Sequence, residues 1–426
     1  MAGRGFVGYA GVMEAEEGIL VESGSFRVDR AKALEKLSQY QLENPALFTL
    51  SWVRVAVGSG AKNISFDFDG RTLEIRFDGR ALPKTALSDP YGGLFAEVGE
   101  AESRLKHLAF GVLGSLRLSA SEIRVVSGTG ADRRRLIVSS LESERIDTLP
   151  TDGGDGTTAV RIVWPRGEAP ETIRLALGML FTECETVPGR LTANGKSVRT
   201  GPPKPKLDAG DSGRIEFDED GIRGWLDAGA EDAGDLQWYH AGVFVTKTTL
   251  AGPLMGVSGT VDSLDLNLTA SLSGLVQDAA YRRVREAIDR MGRRLLLKCA
   301  GERARLLERH SLLDRNEKWQ VGFGRRTHWI LDQCAIQLKG SQPDSTDSFK
   351  RALWRVPLFS DMRTGGPVSI SDLFKIREDT GSILVSDRRM YRMVDQEDDI
   401  IWVPDDRAFA SLERLFGPAV RRKRIP

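Results

Sequence analysis

The chain has 426 residues, and 60 Lys and Arg balance 60 Asp and Glu, so the formal net charge is zero. That length supports two or three domains with hydrophobic cores of their own, and the charge balance excludes a global field that would draw nucleic acid or an anionic membrane. Three isolated cysteines, Cys184, Cys299 and Cys334, exclude a paired zinc or iron–sulfur spacing and fit a reducing compartment better than a disulfide framework. The four histidines, His107, His240, His310 and His328, form no metal-spaced pair. No basic-then-apolar leader opens the chain and no apolar run of roughly eighteen residues occurs, so a soluble, cytoplasmic protein is expected.

Residues 1–24 read as a flexible, glycine- and alanine-rich arm. A helix is expected from Asp29 to Leu42, with Asp29 as cap, Leu34 and Leu37 on its apolar side and Asn44-Pro45 as its stop. Strand patterns follow at 50–57, 62–68 and 72–77, the last two joined by the hairpin signal Asp69-Gly70. A helix over 100–116, strands near 121–127, 134–140 and 157–164, and a helix over 171–182 complete residues 25–198. This mixture predicts an α+β layered domain with helices on one face of a sheet. "RTGPPKPKLDAGDSG" (199–213) is too rich in proline and glycine to join a core and reads as a linker.

Residues 214–340 read as a second domain, with strands at 214–218, 221–226, 236–240 and 242–247. Leu272, Leu275, Val276, Ala279, Ala280, Val284, Ile288, Met291 and Leu295 then recur at helical steps, and the tendency continues toward Arg309. Residues 341–426 read as a small α/β unit, with "SILVSD" (382–387), "IIWVPD" (400–405) and a helix at 407–416. Trp354, Phe359, Phe374 and Trp402 are expected in its core rather than on a client-binding face, and "RRKR" (421–424) as a solvated tail.

Chemistry concentrates in the first half. Glu35 and Gln39 are four apart and share a helix face, where a carboxylate and an amide can position water and complete a magnesium shell. "LEIRFDGRAL" (73–82) is a strand ending at Asp78-Gly79. Its aspartate is an ordinary turn residue or, at the bottom of a cleft, the acceptor for an exocyclic amine. Gly111 and Gly114 in "AFGVLG" either permit close helix packing or allow close backbone approach to phosphates, and Gly156-Thr157 begins a strand from which a hydroxyl could reach that carboxylate or a bridging water.

In that order these motifs resemble the GHKL superfamily of ATP-binding domains, which contains Hsp90 chaperones, MutL, type II topoisomerase subunits and histidine kinases. "GVSGTVDSLDLNLTASLSGLVQD" (256–278) and "SISDLF…ILVSD" (369–387) are similar to the Hsp90 middle domain. The resemblance implies an Hsp90-like Bergerat sandwich followed by a middle domain, with ATP and Mg²⁺ as cofactors. It makes Glu35 the general base, Gln39 the metal ligand, Asp78 and Gly79 the adenine site, Gly111 and Gly114 the phosphate side, and Thr157 the glycine–threonine strand. The chain departs from the family at several of these points. Gln39 stands where an asparagine is usual, the glycines after Asp78 are wrongly spaced, and the lid over 84–104 is abbreviated. The middle-domain arginine that reaches the γ-phosphate falls on Leu272, with Arg282 and Arg283 more than two helical turns later.

Three readings follow. The first is an Hsp90-like ATP-binding protein with slow or absent hydrolysis, coupling nucleotide state to a client or partner. The second is an inactive interaction module of the same fold. The third is a MutL- or topoisomerase-like DNA-associated ATPase with Lys247 as its phosphate lysine, though the neutral charge makes nucleic acid a poor partner. No C-terminal dimerisation domain of the Hsp90 type is expected.

Overall fold

The computed structural model describes residues 30–40, 45–95, 103–149, 156–166, 171–201, 213–228, 234–250, 255–269, 271–309, 317–362, 364–386, 399–403 and 405–423. The expected arm at 1–24, the Asp29 cap and most of the linker lie outside the described residues. What is described is a mixed α+β protein with three sheets, none closed into a barrel.

The first lobe contains α1 (Arg30–Tyr40), α2 (Phe48–Gly58), β1 (Asn63–Phe68), β2 (Thr72–Phe77), α3 (Lys84–Ser88), α4 (Ser103–Arg117), β3 (Glu122–Ser127), β4 (Arg134–Ser140), β5 (Ser143–Thr148), β6 (Thr158–Val163), α5 (Thr172–Glu183), β7 (Arg190–Ala193) and β8 (Lys196–Ser197). Its eight strands run in the order β5-β4-β3-β6-β2-β1-β7-β8. All neighbours are antiparallel except β1 and β7, where Ile64 pairs with Leu191. Alternation buries one face, on which Ile64, Phe66, Leu73, Ile75, Ile123, Val125, Val160 and Ile162 pack with Trp52, Val53, Leu108, Val112 and Ile173 of the helices.

Residues 50–57, expected as a strand, are helix α2. Its residues from Phe48 to Val57 are all buried. A helix covered on every side shows no amphipathic period, and the valines at 53, 55 and 57 imitate a strand. The core it enters supplies the stability that its propensity does not.

The second lobe contains β9 (Arg214–Glu219), β10 (Ile222–Ala228), β11 (Asp235–His240), β12 (Val243–Thr249), β13 (Val257–Ser263), α6 (Ala279–Arg309), α7 (Glu317–Leu338), α8 (Ser348–Arg355), β14 (Pro357–Asp361), β15 (Pro367–Ser369), α9 (Ile370–Thr380), β16 (Ile383–Ser386), β17 (Ile400–Trp402), α10 (Asp406–Phe416) and β18 (Val420–Arg422). Two five-stranded sheets, β12-β11-β13-β10-β9 and β15-β14-β17-β16-β18, share one apolar core running from Phe217 to Val420. Helix α6 touches both, at β10 and at β14. Arg303, buried in α6, donates from Nε to the Leu358 carbonyl (2.7 Å) and from Nη1 to Thr327 Oγ1 of α7 (2.9 Å). Trp354 and Phe359 are in this core and Trp402 is buried.

The long helix starts at Ala279, later than its apolar pattern suggests. Before it the chain makes a tight turn closed by a bridge between Leu268 and Leu275, with Leu272 at φ 58°. Asp278 caps the helix instead, accepting from the Tyr281 amide (2.9 Å) and from Asn267 Nδ2 (2.7 Å). Arg421 and Arg422 of the expected tail belong to β18, parallel to β16.

Candidate functional site

Strand β2 ends at Phe77, and the turn that follows is tied to the end of α2. Asp78 Oδ1 accepts from the backbone amides of Lys62 (2.5 Å) and Asn63 (3.0 Å), and Oδ2 accepts from Asn63 Nδ2 (2.8 Å). Three of about four lone-pair directions on the carboxylate are thereby taken by its own chain. Partial desolvation pushes the Asp78 carboxyl up, but the Asn63 and Lys62 hydrogen bonds together outweigh it and hold the group below the ordinary carboxylate range. Gly79 has φ 101°, and a Cβ there would lie 2.6 Å from the Ser59 carbonyl oxygen. The Arg80 amide donates to that same oxygen (2.8 Å).

Antiparallel pairing of Phe77 with Thr158 brings Asp78 and Thr157 to the same end of neighbouring strands. The buried hydroxyl at the start of β6 is Thr158, 2.8 Å from Ser127 Oγ. Glu35 is exposed on α1, a helix that docks through buried Leu34. Gln39 is also on α1, but its side chain lies outside what the structure describes.

The helix that meets the Asp78 turn is α2, whose sequence FTLSWVRVAVG contains no carboxylate. It offers the turn neither a general base nor a hard metal ligand. Gly111 and Gly114 lie inside α4 rather than at its start, where their amides belong to the helical ladder and are not presented to an anion. A Cβ on Gly111 would lie 2.7 Å from the Trp52 indole, and one on Gly58 would lie 2.9 Å from Arg104 Cβ. These glycines let α2 and α4 cross closely. Arg104 then laces the helices to the turn, Nη1 donating to Ser59 Oγ (3.1 Å) and to the carbonyls of Arg80 (3.1 Å) and Ala81 (3.3 Å). Gly111→Ala should accordingly lower stability by about 1–3 kcal/mol through overpacking, measured by urea unfolding. A substitution without effect on stability would remove the packing role.

A second constellation, which sequence reasoning missed, lies where the lobes meet. The β11–β12 turn, Ala241 at φ 54° and Gly242 at φ 78°, inserts its tip into the first lobe, and Ala241 and Val243 belong to that lobe's core. Beside it Leu272, Leu268 and Val245 pack on Phe110 of α4. Thus the position where the resemblance expects a phosphate-seeking arginine carries an apolar contact between lobes.

The polar part of the joint gathers Arg54 of α2, His107 of α4, His240 of β11 and Asp262 of β13, each no more than 3 % exposed. Asp262 Oδ2 accepts from Arg223 Nη2 (2.5 Å), the Gly242 amide (2.9 Å) and Thr186 Oγ1 (3.2 Å). Arg54 has its pKa lowered to about 10, chiefly by burial, while Cys184 and Asp262 act in the opposite sense. Its Nε and His107 Nδ1 have no hydrogen-bond partner among the described residues. The signal available in sequence was a lone arginine inside the apolar run "SWVRVAV".

Ser103 Oγ lies 3.1 Å from His240 Nε2, and His240 Nδ1 lies 3.1 Å from the Ser263 carbonyl oxygen. The geometry is that of a nucleophile, a base and an orienting acceptor. Burial, then the Arg54 charge, lowers the His240 pKa to about 3, so the imidazole is too weak a base to activate serine near neutrality.

No protein-family model matches the chain, and no curated protein matches it in sequence. Among the described residues no helix is long and apolar enough to cross a membrane, and no three His, Cys, Asp or Glu residues are grouped to hold a metal ion.

Proposed function

We propose that the chain is a two-lobed protein-interaction scaffold of GHKL, Hsp90-like build that engages client or partner proteins without hydrolysing ATP. The observation that carries this reading is the filled space between α2, α4 and the Asp78 turn. Trp52 occupies the Gly111 face, Arg104 binds the turn carbonyls, and the Asp78 carboxylate is spent on Lys62 and Asn63. The donor set does not fit a magnesium triphosphate, because the adjoining helix α2 has no acidic or amide side chain. Lys247, the phosphate lysine of a DNA-associated ATPase, pairs instead with Asp235 at 2.5 Å. Arg283 lies 3.7 Å from Asp265, and Arg282 is exposed on α6.

Weak adenine-nucleotide binding is the second reading, favoured by the placement of Asp78 beside Thr157. Calorimetric titration with ATP and ADP, with and without Mg²⁺, separates the two. The scaffold reading expects no binding at millimolar nucleotide and no ATP turnover. Adenine-selective binding that Asp78→Asn abolishes would replace it with the second reading. On the scaffold reading that variant changes only stability, by about 1 kcal/mol, because an amide nitrogen would face the Asn63 side-chain amide or the Lys62 backbone amide.

A further inference from the structure

We propose that the joint between the lobes is an acid-released clasp, in which protonation of His107 and His240, one imidazole from each lobe, parts the β11–β12 tip from α4 while both lobes stay folded. The inference does not rest on the scaffold reading, and ATP binding or its failure leaves it untouched.

The two rings face each other across the joint at 5.2 Å between centroids. His107 is 2 % and His240 1 % exposed. The groups around them come from every element packed there. Helix α2 supplies Arg54; α4 supplies Ser103, Lys106 and Phe110; β13 supplies Asp262 and the Ser263 carbonyl. Strand β10 brings Arg223 and the segment after α5 brings Cys184 and Thr186, while Glu183 and Glu185 act on neighbouring Tyr239.

The one buried carboxylate in this set is Asp262; its Oδ2 is engaged by Arg223, Thr186 and the Gly242 amide, while its Oδ1 has no hydrogen-bond partner among the described residues. A proton on either ring therefore meets the charges of Arg54 and Lys106, and the other ring, in a medium of low dielectric constant, while the Asp262 charge is already paired with Arg223. Separation of the lobes returns both rings to water and removes that cost.

Burial first, then the Arg54 charge, holds His107 well below the usual histidine value and His240 at about 3. Both rings are thus neutral in the docked state and take up protons when exposed. Docking is complete above the ordinary histidine pKa of about 6.5 and weakens as the pH falls from there toward 3. With two protons taken up, the opening constant rises about 100-fold for each pH unit inside that window.

Small-angle X-ray scattering of the full chain between pH 7.5 and 4.5, with far-UV circular dichroism alongside, tests the clasp. The expected result is a reversible rise in the radius of gyration at unchanged helical signal. His107→Gln combined with His240→Gln should stay compact at the pH where the natural chain opens. The chain has four histidines, so their ¹³C-labelled resonances can be followed singly. Those of His107 and His240 should titrate together with the scattering change. An invariant radius in a folded chain at pH 4.5, opening of the double variant at the same midpoint, or loss of the helical signal with the expansion would each overturn the proposal. If the double variant does not fold, the resonances of the natural chain decide. Titration of His107 and His240 without a change in radius would overturn it too.

Discussion

Asp262→Ala should destabilise the chain by about 3–5 kcal/mol, among the largest effects of any single substitution here. The loss is not the strength of one ion pair. It is the cost of leaving buried positive charge and donors without their acceptor. Arg223 retains 26 % side-chain exposure and can turn toward water, whereas Arg54 is enclosed. The Gly242 amide and Thr186 hydroxyl also lose their partner. Because Asp262 lies in the second lobe and Thr186 and Arg54 in the first, the damage falls on docking as well as on folding. Urea unfolding followed by circular dichroism and by tryptophan fluorescence reads both. A cost below about 1 kcal/mol would mean that the joint is wet and the carboxylate expendable.

The second large effect is expected from Leu272→Arg, which places a guanidinium where the resemblance to Hsp90 expects one. Leu272 is 5 % exposed and packs with Phe110, Val245 and Leu268. A charge there would face the apolar side chains of Phe110, Val245 and Leu268, so about 3 kcal/mol or more should be lost, with the lobes separating before either unfolds. The radius of gyration and the unfolding midpoint should move together. The informative exception is a variant that stays compact and acquires ATP binding. That result would show a usable phosphate site beneath Phe110 and sink the scaffold reading.

The strands β1, β2, β3, β4 and β6 were legible because each buries one face and alternates accordingly, and Asp69-Gly70 marked their first turn. Helix α2 was not legible, since burial on all sides erased the period and its valines favoured the opposite choice. Leu272 and Leu275 fit the spacing of the helix that follows, yet the φ of 58° at Leu272 and the Leu268–Leu275 bridge place them in a turn. Periodicity counts apolar residues but carries no information about a single left-handed position. Helix α7 gave no clear stripe, with Gly322 and Gly324 inside it and charges distributed along it. Of the site, the strands that carry Asp78 and Thr157 were legible, but their pairing was not, because alternation within a strand says nothing about which distant strand lies beside it. The joint was not, because Arg54, His107, His240 and Asp262 come from four separate elements and no spacing links them.

The parallel pairing of β1 with β7 bears on how the chain is made. As a nascent chain emerges, the β1–β2 hairpin appears early, but one edge of β1 stays open until residues 190–193 arrive to cover it. Even then the first core lacks Ala241 and Val243, which reach it from the β11–β12 hairpin. The N-terminal lobe therefore completes its interior only after part of its neighbour has been synthesised. First an unpaired strand edge, and then an unfilled apolar recess, is exposed to whatever else is nearby.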